Sequence, residues 1–182
     1  MLELVIFLLG SLGFVLLSRH TLTKPLSHGF PRFFAFEAIL GLLVLNASSW
    51  FVRPGSIVQI VSWGLLLISA ILVIYAFRVL HLFGEPNKSI PDNNRLALEK
   101  TTRLVTKGPY RYIRHPMYAS LLYLAWGVFL KQISLLSGLL VILASLALYA
   151  TAIFEERENL HNFGNEYRAY MKSTKRFIPF LL

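Results

Sequence analysis

The sequence predicts an all-α integral membrane protein with about five transmembrane helices, a C-terminal helical hairpin and a cytosolic amphipathic tail. Of the 182 residues, 55% are hydrophobic and only 15% are charged, and the mean hydropathy is +0.59. Soluble domains carry more charge. The net charge of +9 would fit nucleic-acid binding on a soluble surface, but the basic residues cluster between apolar runs, so we exclude that partner. The chain has no cysteine, and we predict no metal site.

Five apolar runs predict the helices, at residues 2–17, 33–51, 57–79, 117–130 and 133–154. The first run could be a signal peptide, but its only early charge is Glu3 and its basic residues follow it. We therefore predict a retained first helix. The second run carries Glu37. We expect this carboxylate near the start of its helix, at the level of the lipid headgroups.

The last two runs are predicted to form a helical hairpin. Only Lys131 and Gln132 separate them, and so short a connection requires antiparallel neighbours. Small residues favour a close approach of helix backbones in a membrane. Both arms carry them: Ala119, Ser120, Ala125 and Gly127 on the first, and Gly138, Ala144, Ala147 and Ala150 on the second.

The distribution of basic residues predicts the orientation. Sixteen lysines and arginines fall after the first run, between the third and fourth runs, or in the tail, whereas only Arg53 and Lys131 fall on the other side. By the positive-inside rule the N-terminus lies outside and the C-terminus lies in the cytosol. The long polar loop before the fourth run and the C-terminal tail therefore share the cytosolic side.

The polar loop ends in an unusual segment, residues 108–118, with the sequence GPYRYIRHPMY. Arginine and histidine are expected at a membrane edge, but the interleaved glycine, prolines and tyrosines indicate a shaped loop. His115 by itself would be read as an interfacial aromatic residue. Pro116 fits the first turn of a helix, which would aim the amides of Met117 and Tyr118, at the positive end of the helix dipole, toward whatever the loop binds.

The tail carries one helical stripe, with spacings of four, three, four and three residues: Glu156, Leu160, Phe163, Tyr167 and Tyr170. Glu155 lies about 100° around the helix from Glu156, so at most one of the two carboxylates faces the stripe squarely. The alternative is a helix on the membrane surface whose carboxylates are solvated or weakly paired with nearby basic residues.

Together, the loop and tail resemble the isoprenylcysteine carboxyl methyltransferase and phospholipid methyltransferase superfamily. The resemblance covers residues 104–179. It rests on the segment 108–118, a hairpin of the right length, and then Glu155-Glu156, Phe163-Gly164 and residues 176–179. Ser120 departs from the pattern, because relatives often have glycine there. The first three runs agree only in being membrane helices.

The resemblance implies methyl transfer from S-adenosylmethionine to a lipophilic or lipid-borne carboxylate, thiol or amine that enters from the bilayer. The single domain, residues 1–182, would comprise three helices (1–80), a cytosolic loop (81–116), the hairpin (117–154) and a tail that closes the cofactor pocket (155–182). The catalytic candidates are His115, Glu156 and Arg176. The implied cofactor-binding residues are Tyr110, Arg114, His115, Pro116, Met117, Tyr118, Glu155, Glu156, Tyr167 and Tyr170.

Two other functions compete with this interpretation. Membrane sterol and enone reductases share an Arg-His-Pro motif and use NADPH, but they continue with asparagine where this chain has Met117. A non-enzymatic lipid-binding protein would use the loop and tail only as surface. If the acceptor is an amine, methyl transfer also needs a base, for which His115 and Glu156 are the candidates.

Overall fold

The computed structural model describes residues 1–84 and 103–181, and within these ranges it is helical. Its helices are α1 (Leu2–Leu22), α2 (Gly29–Leu45), α3 (Ile57–Phe83), α4 (Pro116–Phe129) and α5 (Leu135–Ser173). Short 3₁₀ turns cover Ala47–Ser49 and Gly108–Arg111. Strand-like pairing in the described ranges is limited to one parallel bridge between Ile113 and Lys175. The predicted all-α membrane fold is confirmed.

Three of these helices, α1, α3 and α5, are long and apolar enough to cross a membrane. The 39 residues of α5 include a break at Gly164, and the helical part before the break measures about 44 Å, which is more than the hydrocarbon thickness of a bilayer. Helices α2 and α4 have 17 and 14 residues and are shorter than a usual span. Half of the segment predicted as a loop, residues 85–102 of 81–116, lies outside the described residues.

The bounds of α2 differ from the apolar run that predicts it. The helix begins at Gly29, four residues earlier, because Pro31 is tolerated in a first turn, and it ends at Leu45, where the buried Asn46 side chain donates to the carbonyl of Leu42 (2.8 Å). Glu37 is therefore in the middle of α2, and the expected position at a helix start is wrong. Its Oε2 accepts a hydrogen bond from Ser11 of α1 (2.6 Å).

Helix α4 packs most extensively against α3, and α5 packs most extensively against α2. The hydroxyl of Ser62 in α3 donates to the carbonyl of Gly127 (2.7 Å), and that of Ser69 donates to the carbonyl of Ser120 (2.7 Å). The small residues of α4 thus allow close packing against α3 more than against α5, the other arm of the hairpin. Helical spacing in the sequence cannot show whether the small residues of α4 contact α3 or α5, because both of these helices pack against α4.

Replacing Gly127 by alanine is expected to destabilise the protein. A Cβ there would lie 3.0 Å from the side chain of Leu66 and 3.3 Å from its backbone nitrogen. Overpacking of this kind costs about 1–3 kcal/mol. Gly138→Ala is the matched control, since its Cβ would meet only Phe129, at an ordinary 3.8 Å. Thermal unfolding in detergent, followed by circular dichroism, should show a lower midpoint for Gly127→Ala alone, and equal midpoints would contradict this packing.

Candidate active site

The segment 108–118 is fixed to the chain that follows α5 by backbone hydrogen bonds. The amide of Arg114 donates to the carbonyl of Lys175 (2.7 Å), and the amide of His115 donates to the carbonyl of Arg176 (3.1 Å). In return, the amide of Lys175 donates to the carbonyl of Tyr112 (3.1 Å). The loop and the end of the tail therefore form one unit, although about 60 residues separate them in the sequence.

The first residue of this segment, Gly108, must be glycine for two reasons. Its φ is +57°, which a residue with a side chain adopts only at a cost. A Cβ would also lie 2.8 Å from Val79 and 3.2 Å from the hydroxyl of Tyr75. The close approach packs the loop onto the C-terminal end of α3.

The centre of the unit is Glu156, whose carboxylate is buried (4% exposed) between two guanidinium groups. Arg114 Nε donates to Oε1 (2.8 Å), and Arg176 donates through Nε and Nη2 to Oε2 (3.1 and 2.9 Å). Arg114 Nη1 also donates to the backbone carbonyls of Thr174 and Met171. This network joins the loop, α5 and the segment after α5 through charge-assisted hydrogen bonds.

Arg176 lies at the more exposed edge of the network, with a quarter of its side chain accessible. Its Nη1 donates to the hydroxyl of Tyr149 (2.9 Å), and its guanidinium carbon lies 5.1 Å from the centre of that ring. Hydrogen bonding to Glu156 raises the pKa of Arg176 above its ordinary value. The site therefore presents a permanent cation beside Tyr149 on α5.

His115 is buried at the N-terminus of α4, where it stacks on Tyr118 with ring centres 5.5 Å apart. Its Nε2 lies 3.5 Å from Glu156 Oε1, and its Nδ1 lies 3.9 Å from Glu155 Oε2. Both distances exceed an ordinary hydrogen bond, and Nε2 has no hydrogen-bond partner among the described residues. A buried polar atom in this condition is a candidate to bind a ligand or to transfer a proton.

A cavity lies between the loop, the start of α4 and the second half of α5. The empty space between its walls is about 740 Å³, a figure that includes the part open to solvent. Most of the residues implied by the sequence as cofactor-binding line it: Tyr110, Arg114, His115, Pro116, Met117, Tyr118, Glu155, Tyr167 and Tyr170.

Two predicted site residues, Glu156 and Arg176, do not line this cavity. Glu156 faces the two arginines and is linked to the cavity wall through Arg114 and His115. Arg176 lies behind Glu156, toward Tyr149. The helical spacing in the tail predicts that Glu156 lies on the same face as the aromatic residues, and Glu156 is buried in the structure. Glu155 is the carboxylate that lines the cavity.

The tyrosines of the tail reach the cavity because α5 is interrupted at Gly164, where φ is +54° and ψ is −124°. The helical residues after this break carry Tyr167 and Tyr170, both buried. The hydroxyl of Tyr170 donates to the carbonyl of Tyr110 (2.6 Å), which fastens this part of the tail to the loop.

Three polar lining residues were not identified from the sequence: His28, Arg103 and Asn159. Asn159 lies four residues after Glu155, so the helical period could have revealed it. His28 comes from the connection between α1 and α2, where nothing in the local sequence distinguishes it. Its Nδ1 lies 2.8 Å from the carboxylate of Glu158, about 130 residues away in the chain.

The cavity therefore offers the groups that a zwitterionic ligand with an aromatic base needs. Arg103 and Arg114 supply positive charge, and Glu155 supplies negative charge. Tyr118, with Tyr167 and Tyr170 of the tail, supplies aromatic surface. Aromatic faces also attract cations, including a cationic centre on a ligand.

Two comparisons with known proteins indicate the family of the chain. A family model described as phospholipid methyltransferase matches residues 57–166, more than half of the chain. The chain is also similar to methanethiol S-methyltransferase from Pseudomonas deceptionensis, with 26% identity over 150 residues, which is 82% of this chain and 50% of that protein. It thus spans about half the length of this curated relative. No solved structure matches the chain.

Proposed function

The chain belongs to the phospholipid methyltransferase family, and we propose that it is a membrane enzyme that transfers a methyl group from S-adenosylmethionine to a lipophilic or lipid-borne acceptor. The observation that carries this proposal is the cavity, which combines both signs of charge with aromatic surface next to a buried histidine. The bias of lysine and arginine supports a cytosolic position for the site and the C-terminus, with the N-terminus outside.

The residues that line the cavity fit this cofactor. Glu155 suits its ammonium group, and Arg103 or Arg114 suits its carboxylate. His115 adds a buried imidazole to the wall, with its ring stacked on Tyr118. When bound, S-adenosylmethionine supplies an electrophilic methyl group attached to a cationic sulfur, which the neighbouring tyrosine rings attract.

We assign Glu156 a positioning role. Its carboxylate accepts hydrogen bonds from two guanidinium groups, which makes it a poor base. It holds Arg114 in the cavity wall and Arg176 beside Tyr149. In-line methyl transfer depends strongly on alignment, and a displacement of about 1 Å can lower the rate about a hundredfold. Where the acceptor must lose a proton, His115 is the better candidate base.

The acceptor is proposed to approach from the bilayer along α5, toward Arg176 and Tyr149. Tyr149 is partly exposed on the outer surface of the helix, so a lipophilic molecule can reach this region sideways. The similarity to a methanethiol S-methyltransferase favours a thiol among the possible acceptors. The family description favours the amine of a phospholipid headgroup.

Isothermal titration of the purified chain in detergent with S-adenosylhomocysteine and with NADPH tests the proposed cofactor. We expect binding of S-adenosylhomocysteine, because the cavity offers charged partners for its amino acid part. The same protein, given methyl-labelled S-adenosylmethionine together with phosphatidylethanolamine vesicles or a small alkyl thiol, should release a labelled product identifiable by mass. Binding of NADPH alone would instead support the reductase, and the absence of any labelled product would contradict the proposed transfer.

A further inference from the structure

We propose that residues 178–181, which follow α5, bind the surface of the membrane and that the lysines before them recognise anionic phospholipid headgroups. Three of these four residues are apolar and exposed: Ile178 (38%), Phe180 (83%) and Leu181 (77%). The proposed methyl transfer uses none of them. Exposed aromatic and aliphatic side chains beside basic residues suit the boundary between lipid headgroups and acyl chains.

The backbone holds this segment near the start of α4, the short apolar helix Pro116–Phe129. The parallel bridge pairs Lys175 with Ile113, which lies only three residues before α4. The next residue but one, Phe177, is buried, and its ring centre lies 6.4 Å from that of Tyr149 on α5. Residues 178–181 therefore leave the protein at the edge of the apolar helices, where they can reach the lipid.

The charge of the same segment is positive. Between residues 168 and 182 the sequence has four basic residues and no acidic residue. One of the four, Arg176, is bound to Glu156, whereas the side chains of Lys172 and Lys175 are exposed. Each lysine near an anionic membrane surface strengthens binding about fivefold. An anionic phospholipid surface therefore complements this segment in both its charge and its apolar residues.

The segment also carries groups of the candidate active site. The carbonyl of Arg176 accepts a hydrogen bond from the amide of His115 (3.1 Å), and its side chain holds Glu156. The ring centre of Phe177 lies 6.1 Å from that of His115. Because residue 178 follows directly, binding of residues 178–181 to the membrane also restrains Arg176 and His115. We therefore expect the activity of the site to depend on the lipid surface.

Spin labelling of the full chain in lipid nanodiscs tests the membrane contact. The chain has no cysteine, so Phe180→Cys provides a single attachment site at an exposed position. The label should collide more often with oxygen, which concentrates in the hydrocarbon, than with a water-soluble nickel chelate. Asn165→Cys, at an exposed polar position of α5, is the matched control and should show the reverse.

Two results at position 180 would overturn the membrane contact. The first is the same pattern as at position 165, which would mean that the segment lies in water. The second is a label shielded from both reagents, which would mean that the segment packs against protein, either this chain or a second copy. Since neither result involves methyl transfer, this test does not depend on the function proposed above.

Nanodiscs of phosphatidylcholine with and without phosphatidylglycerol test the preference for anionic headgroups. Phosphatidylglycerol should raise the ratio of membrane-bound to aqueous label at position 180. Lys172→Gln and Lys175→Gln should each lower this ratio about fivefold in the anionic nanodiscs. Raised salt should act in the same direction, because it screens exposed charges. Equal ratios in the two lipids would exclude recognition of anionic headgroups.

Methyl transfer in the same nanodiscs tests the connection to the active site. Phe180→Ser combined with Leu181→Ser should lower the rate about tenfold, less than the roughly hundredfold effect of a 1 Å displacement. Phe51→Ser, which alters an equally exposed aromatic residue between α2 and α3, should leave the rate unchanged. Equal rates for the double variant and the wild type would exclude the connection. A wild type that transfers no methyl group in any lipid would instead contradict the proposed function, whatever the spin label shows.

Discussion

Replacing Glu156 by glutamine is expected to lower the rate of methyl transfer about a hundredfold while leaving the chain folded. Glutamine keeps the length of the side chain, but its amide presents only one oxygen and no charge to Arg114 and Arg176, which now share two carboxylate oxygens. Both arginines would then relax from their positions, and misalignment of about 1 Å is enough for an effect of this size. Transfer of labelled methyl groups by purified protein at saturating cofactor measures the change.

The matched control is Glu166→Gln, which makes the same substitution at an exposed position of α5. It should retain nearly full activity. Glu156→Ala tests the structural side of the same network, because it leaves Arg114 buried beside an empty site, a situation that costs about 3–5 kcal/mol in the free energy of unfolding. If Glu156→Gln transferred methyl groups as fast as Glu166→Gln, the positioning role of Glu156 would be wrong.

Gly164→Ala is expected to weaken the binding of S-adenosylhomocysteine by about tenfold or more. A Cβ at this position meets nothing within 4 Å, so the effect comes from the backbone alone. The φ of +54° with ψ of −124° lies in a region that residues with side chains avoid, at a cost of about 1–3 kcal/mol. Alanine would favour a continuous helix, which would change the direction of the chain after residue 164 and displace Tyr167 and Tyr170 from their present positions in the cavity wall.

Gly13→Ala in α1 provides the control for this substitution. Its Cβ also meets nothing within 4 Å, but its backbone is ordinary helix, where alanine is favoured over glycine by up to about 1 kcal/mol. Titration calorimetry should show unchanged affinity for Gly13→Ala. Equal affinities for both variants would mean that the break in α5 does not position the tyrosines.

Much of the site is readable from the sequence because it is built from local patterns. The helical spacing predicts that Glu156 and the tail tyrosines lie on one face, and Glu156, Tyr167 and Tyr170 are buried in the structure, but the helix is interrupted between them at Gly164, which the spacing did not predict. The pattern of the segment 108–118 likewise predicts a shaped loop, which the positive φ of Gly108 explains. Their roles in binding and catalysis remain predictions.

Other features of the structure could not be predicted from the sequence around the residues concerned. The contact of His28 with Glu158 joins residues about 130 positions apart, and neither residue type is unusual where it stands. The preference of α4 for α3 depends on which faces meet in three dimensions. The bounds of α2 differ from the predicted run because hydropathy shows only where side chains are apolar. A helix ends where other groups satisfy its backbone hydrogen bonds, as the Asn46 side chain does for the carbonyl of Leu42.

The sequence by itself predicted a helical membrane protein that resembles the phospholipid methyltransferase family and has an acidic and aromatic tail, because hydropathy, helical period and motif order are properties of the chain. Only the tertiary structure decided which charges meet. It buries Glu156 between Arg114 and Arg176, turns Glu155 toward the cavity, and brings His28 from the first half of the chain to the same site. These choices depend on helix packing, which no single segment encodes.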